Sequence, residues 1–398
     1  MNPRLAALHP YPFQKLRALL AGVSPPSELA AINLSIGEPR HPTPQFIKDA
    51  LIDGLDGLAN YPITQGSDAL RNAIARWANH RYGIELDPTT QVLPVNGSRE
   101  ALFAFAQASV DSSRHGQRVI ISPNPFYQIY EGAALLAGAR PFFLNTVADN
   151  DFRMDFSRVP EDLWPQINLV FVCSPGNPTG KVWTLAEWKT LFDLSEQHGF
   201  VIASDECYSE IYFDEDNPPL GALTAAQQLG RDFSRLVVFN SLSKRSNVPG
   251  LRSGMVAGDA DILKQFLLYR TYHGSAMSPA VQAASVAAWQ DEAHVAENRS
   301  LYAAKFAAAM PLLKEYLVFD APDAAFYLWA KVPGGDDAEF ARALYRDQHV
   351  TVLPGSFLAR EAAGINPGRG YVRIALVDQL DACVEAAQRI VTAVKLHS

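Results

Sequence analysis

The 398-residue chain has only three cysteines, Cys173, Cys207 and Cys383, set far apart and with no C-x-x-C spacing. Sparse and odd in number, they read as free thiols in a reducing compartment, not as a disulfide frame or a zinc site. The nine histidines include no H-E-x-x-H and no close pair suited to a metal, so no metal is expected. Uninterrupted apolar runs of the eighteen or so residues that cross a membrane are also missing. The residues after Met1, with Pro3, Pro10 and Pro12 among them, lack the apolar core of a signal peptide. Positive charge is short as well: the net charge is −8 and the pI about 5.6, which argues against a nucleic-acid partner. These absences predict a cytoplasmic protein with neither membrane nor nucleic-acid partners. In that compartment the sequon Asn96-Gly97-Ser98 carries no meaning. Internal repeats and low-complexity tracts are absent too.

What is present is ordinary globular material, 48% apolar and 19% charged, in a chain long enough for two packed domains. Short apolar runs at Val119–Ile121, Leu169–Val172, Val201–Ala203, Leu236–Phe239 and Gly254–Ala257 read as strands buried on both faces. Between two of them, Thr184 to His198 reads as a helix, with Thr184 and Glu187 spaced as a capping box and Gly199 as the stop. That strand–helix–strand unit makes the sheet largely parallel. Further on, an Ala-rich helical stretch (278–317) leads to strand-like Ala325–Trp329 and Tyr371–Ala375. The expected fold is α/β: a large domain (46–285) with a mostly parallel sheet flanked by helices, and a smaller α+β domain (286–398) joined by the N-terminal segment (1–45).

The polar residues that stand out follow the predicted strands, at the edge where open α/β sheets bind ligands. Ser174-Pro-Gly-Asn-Pro-Thr-Gly180 follows one strand, Ser204-Asp-Glu-Cys-Tyr208 the next, and Ser241-Leu-Ser-Lys244 the one after. Convergence of these ends gathers an Asn, an Asp, a Tyr and a Lys. Pyridoxal phosphate (PLP) needs such a set. Its aldehyde needs an amine, Lys244. A buried carboxylate, Asp205, would keep its ring nitrogen protonated. Its phenolic oxygen needs donors, Tyr208 and Asn177, and its phosphate needs hydroxyls and a cation, Ser241 and Arg252.

These pieces, with Arg252 eight residues beyond Lys244 and with Tyr61-Pro62, Asn96-Gly97-Ser98, Pro125-Phe126-Tyr127 and Tyr371-Val372-Arg373, resemble the fold-type I PLP-dependent aminotransferases of the aspartate aminotransferase superfamily (class I/II). The matches run in the family's order over nearly the whole chain. The resemblance implies that Lys244 forms the Schiff base and then shuttles the proton, that Asp205 pairs with the pyridinium, and that Asn177 and Tyr208 hold the phenolic oxygen. It implies that Tyr127 stacks on the ring; Tyr130, by contrast, reads as an aromatic that fills core space. Gly97, Ser98 and Arg99 would open a helix toward the phosphate, joined by Ser241 and Arg252. Arg373 would clamp the substrate α-carboxylate by a paired hydrogen bond, with Asn177 and Gly37 beside it. Tyr61 would reach the phosphate of the other subunit, so the pattern implies a homodimer with shared sites, acting on amino acids and 2-oxo acids.

Competing motifs fail on spacing. Gly176 to Lys181 has three residues where a Walker A loop needs four, and Val182 stands where Ser or Thr is required. Ser241-Leu-Ser-Lys244 fits S-x-x-K, but the K-T-G and S-D-N companions of penicillin-recognising enzymes are missing. A PLP-dependent regulator would need a fused DNA-binding module, for which the chain has no room. Outside the cofactor residues, Asn2-Pro-Arg-Leu-Ala6, Pro10-Tyr-Pro-Phe13, Ile36-Gly-Glu-Pro-Arg-His-Pro-Thr-Pro44 and Tyr269–Ser278 resemble succinyldiaminopimelate transaminases of the bacterial lysine route. The expected reaction is transfer from N-succinyl-L,L-diaminopimelate to 2-oxoglutarate, with Arg40 and Arg270 as candidates for the distal carboxylate. An aminotransferase for aspartate, alanine or another common amino acid, or a PLP-dependent β-lyase, would carry the same cofactor residues.

Overall fold

The computed structural model describes residues 1–111 and 116–397. Its strands, in chain order, are β1 (Ile32–Asn33), β2 (Val92–Val95), β3 (Val119–Asn124), β4 (Arg140–Asn145), β5 (Ile167–Cys173), β6 (Val201–Asp205), β7 (Leu236–Ser241), β8 (Gly254–Gly258), β9 (Tyr327–Lys331), β10 (Val350–Thr351), β11 (Leu353–Pro354) and β12 (Tyr371–Ala375). Seven form one sheet in the order β2-β8-β7-β6-β5-β3-β4. The neighbours from β7 to β4 are parallel, while β8 runs against both β7 and β2.

Alternation along the strands builds two cores. Val170, Val172, Ile202 and Val238 face one layer of helices, packing with Trp77, Trp188 and Trp289. Leu169, Phe171, Ala203, Val237 and Phe239 face the other, with Phe105, Tyr130 and Phe266. A two-residue period thus sends apolar side chains to both faces, which is why these strands read as continuous apolar runs.

The helix Leu185–His198 shows how local sequence fixes an element. Thr184 Oγ1 accepts from the Glu187 amide at 3.3 Å, while the Glu187 carboxylate accepts from the Thr184 amide at 2.8 Å. Gly199 ends the helix at φ +76°, where a side chain would be strained. Trp188, Leu191, Phe192 and Ser195 form its buried stripe. Truncating Leu191 to alanine would cost about 2–5 kcal/mol.

A third core lies outside the large sheet. There β11-β12-β9 form an antiparallel sheet against the helices Ala293–Leu313 and Leu380–His397. Ile32 and Leu34 join this core, and β1 pairs in parallel with β10. The Ala-rich stretch is two helices rather than one, Pro279–Gln290 and Ala293–Leu313. Asp291 is extended between them, its carboxylate accepting from the His294 amide at 2.9 Å. That side-chain bond starts the second helix afresh. Among the described residues, no helix is long and apolar enough to cross a membrane.

Candidate active site

Sheet register explains why residues far apart in sequence meet. Cys173 on β5 lies level with Asp205 on β6, and Asp205 with Phe239 on β7, so the three polar loops leave the sheet together. Because β8 is reversed, its first residue, Gly254, sits beside both Ser241 and Val95. This brings Arg252, just before β8, to the helix that starts at Ser98 after β2. A cavity of about 470 Å³ opens at this edge. Gly37, Ser98, Arg99, Tyr127, Asn177, Asp205, Tyr208, Ser241, Lys244, Arg252 and Arg373 all line it. Two of the residues predicted to hold the cofactor do not. Gly97 stands behind Arg252, and Tyr61 is fully exposed at 102%.

Lys244 sits in the single turn Leu242–Arg245, started by Ser241 Oγ accepting from the Ser243 amide at 3.1 Å. Its Nζ donates to the Gly37 carbonyl at 2.6 Å. Burial pulls its pKa down to about 8, because an ammonium is poorly solvated there. Asp205 is buried and accepts from the Cys207 amide at 3.3 Å and from the Tyr130 hydroxyl at 2.8 Å. Burial raises its carboxyl above the usual range, and those two donors offset part of the rise.

Arg373 projects from β12 into the cavity wall, 4% exposed. Its Nη1 donates to Asn177 Oδ1 at 2.9 Å and its Nη2 to the Ser35 carbonyl at 2.8 Å, while its buried Nε has no partner. The guanidinium lies 4.4 Å from the Tyr327 ring centre. Tyr327 and Tyr208 share a hydroxyl–hydroxyl bond of 2.9 Å. Arg99 Nε donates to the Tyr127 hydroxyl at 2.6 Å. Arg252, at φ +56°, donates to the Pro249 carbonyl at 2.8 Å. A Cβ on Gly97, at φ +84°, would run into the Arg252 guanidinium.

A profile of the family described as aminotransferase class I and II matches residues 30–390. The chain belongs to that family. A relative from Nitratidesulfovibrio vulgaris, named LL-diaminopimelate aminotransferase, is 33% identical over 97% of each chain. The crystal structure of an aminotransferase from Neisseria meningitidis Z2491 is 54% identical, with a TM-score of 0.96 over 98% of this chain and 99% of that one. A probable N-succinyldiaminopimelate aminotransferase from Thermus thermophilus is 28% identical, with a TM-score of 0.84 over 96% of this chain and all (100%) of that one.

The aminotransferase therefore depends on PLP. When bound, PLP supplies an aldehyde for the substrate amine and a ring that draws electron density from the α-carbon. The residues present fit such a group. The helix start at Ser98 and Arg99, the hydroxyls of Ser241 and Ser243, and Arg252 line one end of the cavity as an anion cradle, and a Cβ at position 97 would push into the Arg252 guanidinium. Asp205 is a buried carboxylate awaiting a cation, and the unpaired Arg373 Nε awaits an acceptor.

Two readings of the sequence need correction. Tyr130 does more than fill space, since its hydroxyl holds Asp205. Its signal was weak because an aromatic beside a known motif usually belongs to the core. Arg40 and Arg270 do not reach the cavity. Arg270 is fully buried and bound to Glu100 at 2.9 Å, and Arg40 pairs with Asp378. Both are spent on structural ion pairs. Tyr327 escaped notice altogether, because one Tyr inside an apolar strand looks like core.

Proposed function

We propose that the enzyme moves the free α-amino group of N-succinyl-L,L-diaminopimelate to 2-oxoglutarate. The observation that carries this reading is the presence of two separate guanidinium groups beyond the phosphate cradle. One is the buried Arg373; the other is the exposed Arg99, whose two terminal nitrogens hold no partner among the described residues. A substrate carrying a carboxylate at each end could engage both. Arg373 would clamp the α-carboxylate, aided by Asn177 and Gly37, and Arg99 would meet the distal one. Lys244 would hold the cofactor, then take the α-proton and return it at the aldehyde carbon. Asp205 would pair with the ring nitrogen, Tyr208 and Asn177 would hold the phenolic oxygen, and Tyr127 would cover the ring face. The reading is supported by the names of two relatives, one an LL-diaminopimelate aminotransferase and the other a probable N-succinyldiaminopimelate aminotransferase.

Unmodified L,L-diaminopimelate is the second reading, favoured by the name of the Nitratidesulfovibrio relative and by Glu38, a cavity-lining carboxylate that could meet a distal ammonium. Both donors, with aspartate and alanine beside them, are assayed with 2-oxoglutarate by glutamate formation. Preference for the succinylated donor supports the first reading. Activity with aspartate or alanine and none with it would overturn that reading. Arg99→Ala should lower kcat/KM for the succinylated donor by about one to two powers of ten while sparing alanine.

We also propose a homodimer with shared sites and a division at 45 and 285. Support for the dimer comes from the exposed large apolar side chains of Ile52, Leu55, Leu58, Tyr61 and Ile63, gathered in one short stretch of chain. Mixing inactive Lys244→Ala subunits with Tyr61→Phe subunits should restore activity if sites are shared; no gain on mixing argues against it. Support for the division comes from the separate third core and the pairing of β1 with β10.

A further inference from the structure

Beneath the cavity, a chain of buried side chains ties the segment carrying Gly37 to the backbone of Lys244. Further along that segment, His41 turns away from the cavity and is buried, 7% exposed. Its Nδ1 lies 2.8 Å from Asn298 Oδ1, and its Nε2 lies 2.6 Å from Lys305 Nζ, on a lysine that is 2% exposed. An amide oxygen only accepts and an ammonium only donates, so His41 is neutral with its proton on Nδ1. The Asn298 amide completes the chain. Its Nδ2 donates to the carbonyls of Lys244 at 3.1 Å and Arg245 at 3.4 Å, and its Oδ1 also accepts from Asn247 at 3.0 Å. Asn298, Tyr302 and Lys305 share one face of the helix Ala293–Leu313, where the Tyr302 ring packs on His41 at 4.7 Å.

A one-turn helix cannot hold itself, and its last carbonyls have no partner within it. Those carbonyls belong to Lys244 and Arg245, and Asn298 satisfies both. The same carboxamide anchors His41, and through it the chain that presents the Gly37 carbonyl to Lys244 Nζ. We propose that Asn298, with His41 backed by Lys305, is a positioning device that sets the Lys244 amine against Gly37 and so tunes its proton transfer. The proposal rests on Lys244 being the reactive lysine. It goes further by naming side chains that never touch substrate or cofactor.

Three variants of the cofactor-loaded enzyme test it: His41→Phe, Lys305→Met and the double variant. His41→Phe takes one acceptor from a buried ammonium and leaves it the Val377 carbonyl at 3.3 Å, so its Tm should fall. The double variant removes that charge and should recover Tm. In His41→Phe and in the double variant, the pH midpoint of the cofactor's visible band should be displaced from wild type. Their kcat should fall on the order of ten- to a hundredfold, with KM little changed. If the double variant regains the wild-type midpoint and kcat along with Tm, the cluster merely shelters a charge and the proposal fails. Nitrogen NMR of His41 is a separate check: a proton on Nδ1 at neutral pH is expected, and a proton on Nε2 would overturn it. Failure of the Lys244 reading shows up elsewhere, as a borohydride adduct on a different lysine in the wild type.

Discussion

The Tyr130 hydroxyl donates to Asp205 Oδ2 across 2.8 Å, with both side chains buried. Stacking of the Tyr130 ring on Phe171, 4.6 Å between centres and 14° from parallel, fixes the hydroxyl's direction. The bond favours the charged carboxylate against the upward push of burial. Tyr130→Phe removes it without changing the ring. A hydrogen bond to a charged group is worth about 1.5–3 kcal/mol. The dissociation constant for PLP should therefore rise about ten- to a hundredfold. Spectral titration measures it, and wild-type affinity would show that Asp205 does not rely on this donor.

Lys244→Ala should leave no amine at the site. Borohydride should fix PLP to the wild-type peptide containing Lys244 and leave the variant unlabelled, and turnover should drop by at least about 10²–10⁴-fold. Peptide mapping that finds the adduct on another lysine removes the assignment. Wild-type pH dependence follows from the same residue. In the cofactor-free protein Lys244 can attack the PLP aldehyde only when unprotonated, and burial holds its pKa at about 8. Growth of the visible band on adding PLP to that protein should thus quicken about tenfold per pH unit below that value and level off above it. A flat profile across the same range would contradict this role.

Gly97→Ala should damage phosphate binding selectively. The new Cβ would meet the Arg252 guanidinium in a backbone region, φ +84°, that disfavours side chains. Moving Arg252 takes the cation from the cradle, so affinity for PLP should fall about tenfold or more. Affinity for pyridoxal, which lacks the phosphate, should hardly change. Equal losses for both ligands would point to general damage instead.

Lys305 makes a stability prediction for the cofactor-free protein. Burial lowers its pKa from 10.5 to about 8. Between those values the unfolded chain keeps a proton that the folded chain has released, so this group adds stability as pH rises through the window. The contribution is lost as pH falls through about 8. Lys305→Met should therefore show a smaller gain in denaturation midpoint from about pH 8 to pH 10 than the wild type. Parallel curves for the two proteins would refute it.

The residues proposed to hold the cofactor were legible because each sits in a short motif whose chemistry is local. The Thr184–Glu187 capping box and Gly199 likewise predicted their helix to the residue, since caps act within one turn. Less legible were relationships that depend on distant partners. The Ala-rich stretch broke at Asp291, where Arg245 donates to the Asp291 carbonyl at 3.3 Å and pairs with Glu292. Nothing in the helical pattern signals those partners.

Sequence alone determined the chemistry-bearing set, from Asn177, Asp205 and Tyr208 to Lys244 and Arg252, and the alternation that buries the sheet on both faces. Those properties follow from residue type and from spacing within a few residues. Tertiary structure decided which arginines are free. Arg270 and Arg40 are neutralised by Glu100 and Asp378, whereas Arg373 keeps an unpaired nitrogen and Arg99, on the cavity lining, has no carboxylate partner among the described residues. It also decided which partners Tyr130, Tyr327 and the His41–Asn298–Lys305 chain hold. The physical reason is that a buried polar group is defined by its partner, and these partners lie up to 338 positions away in the chain.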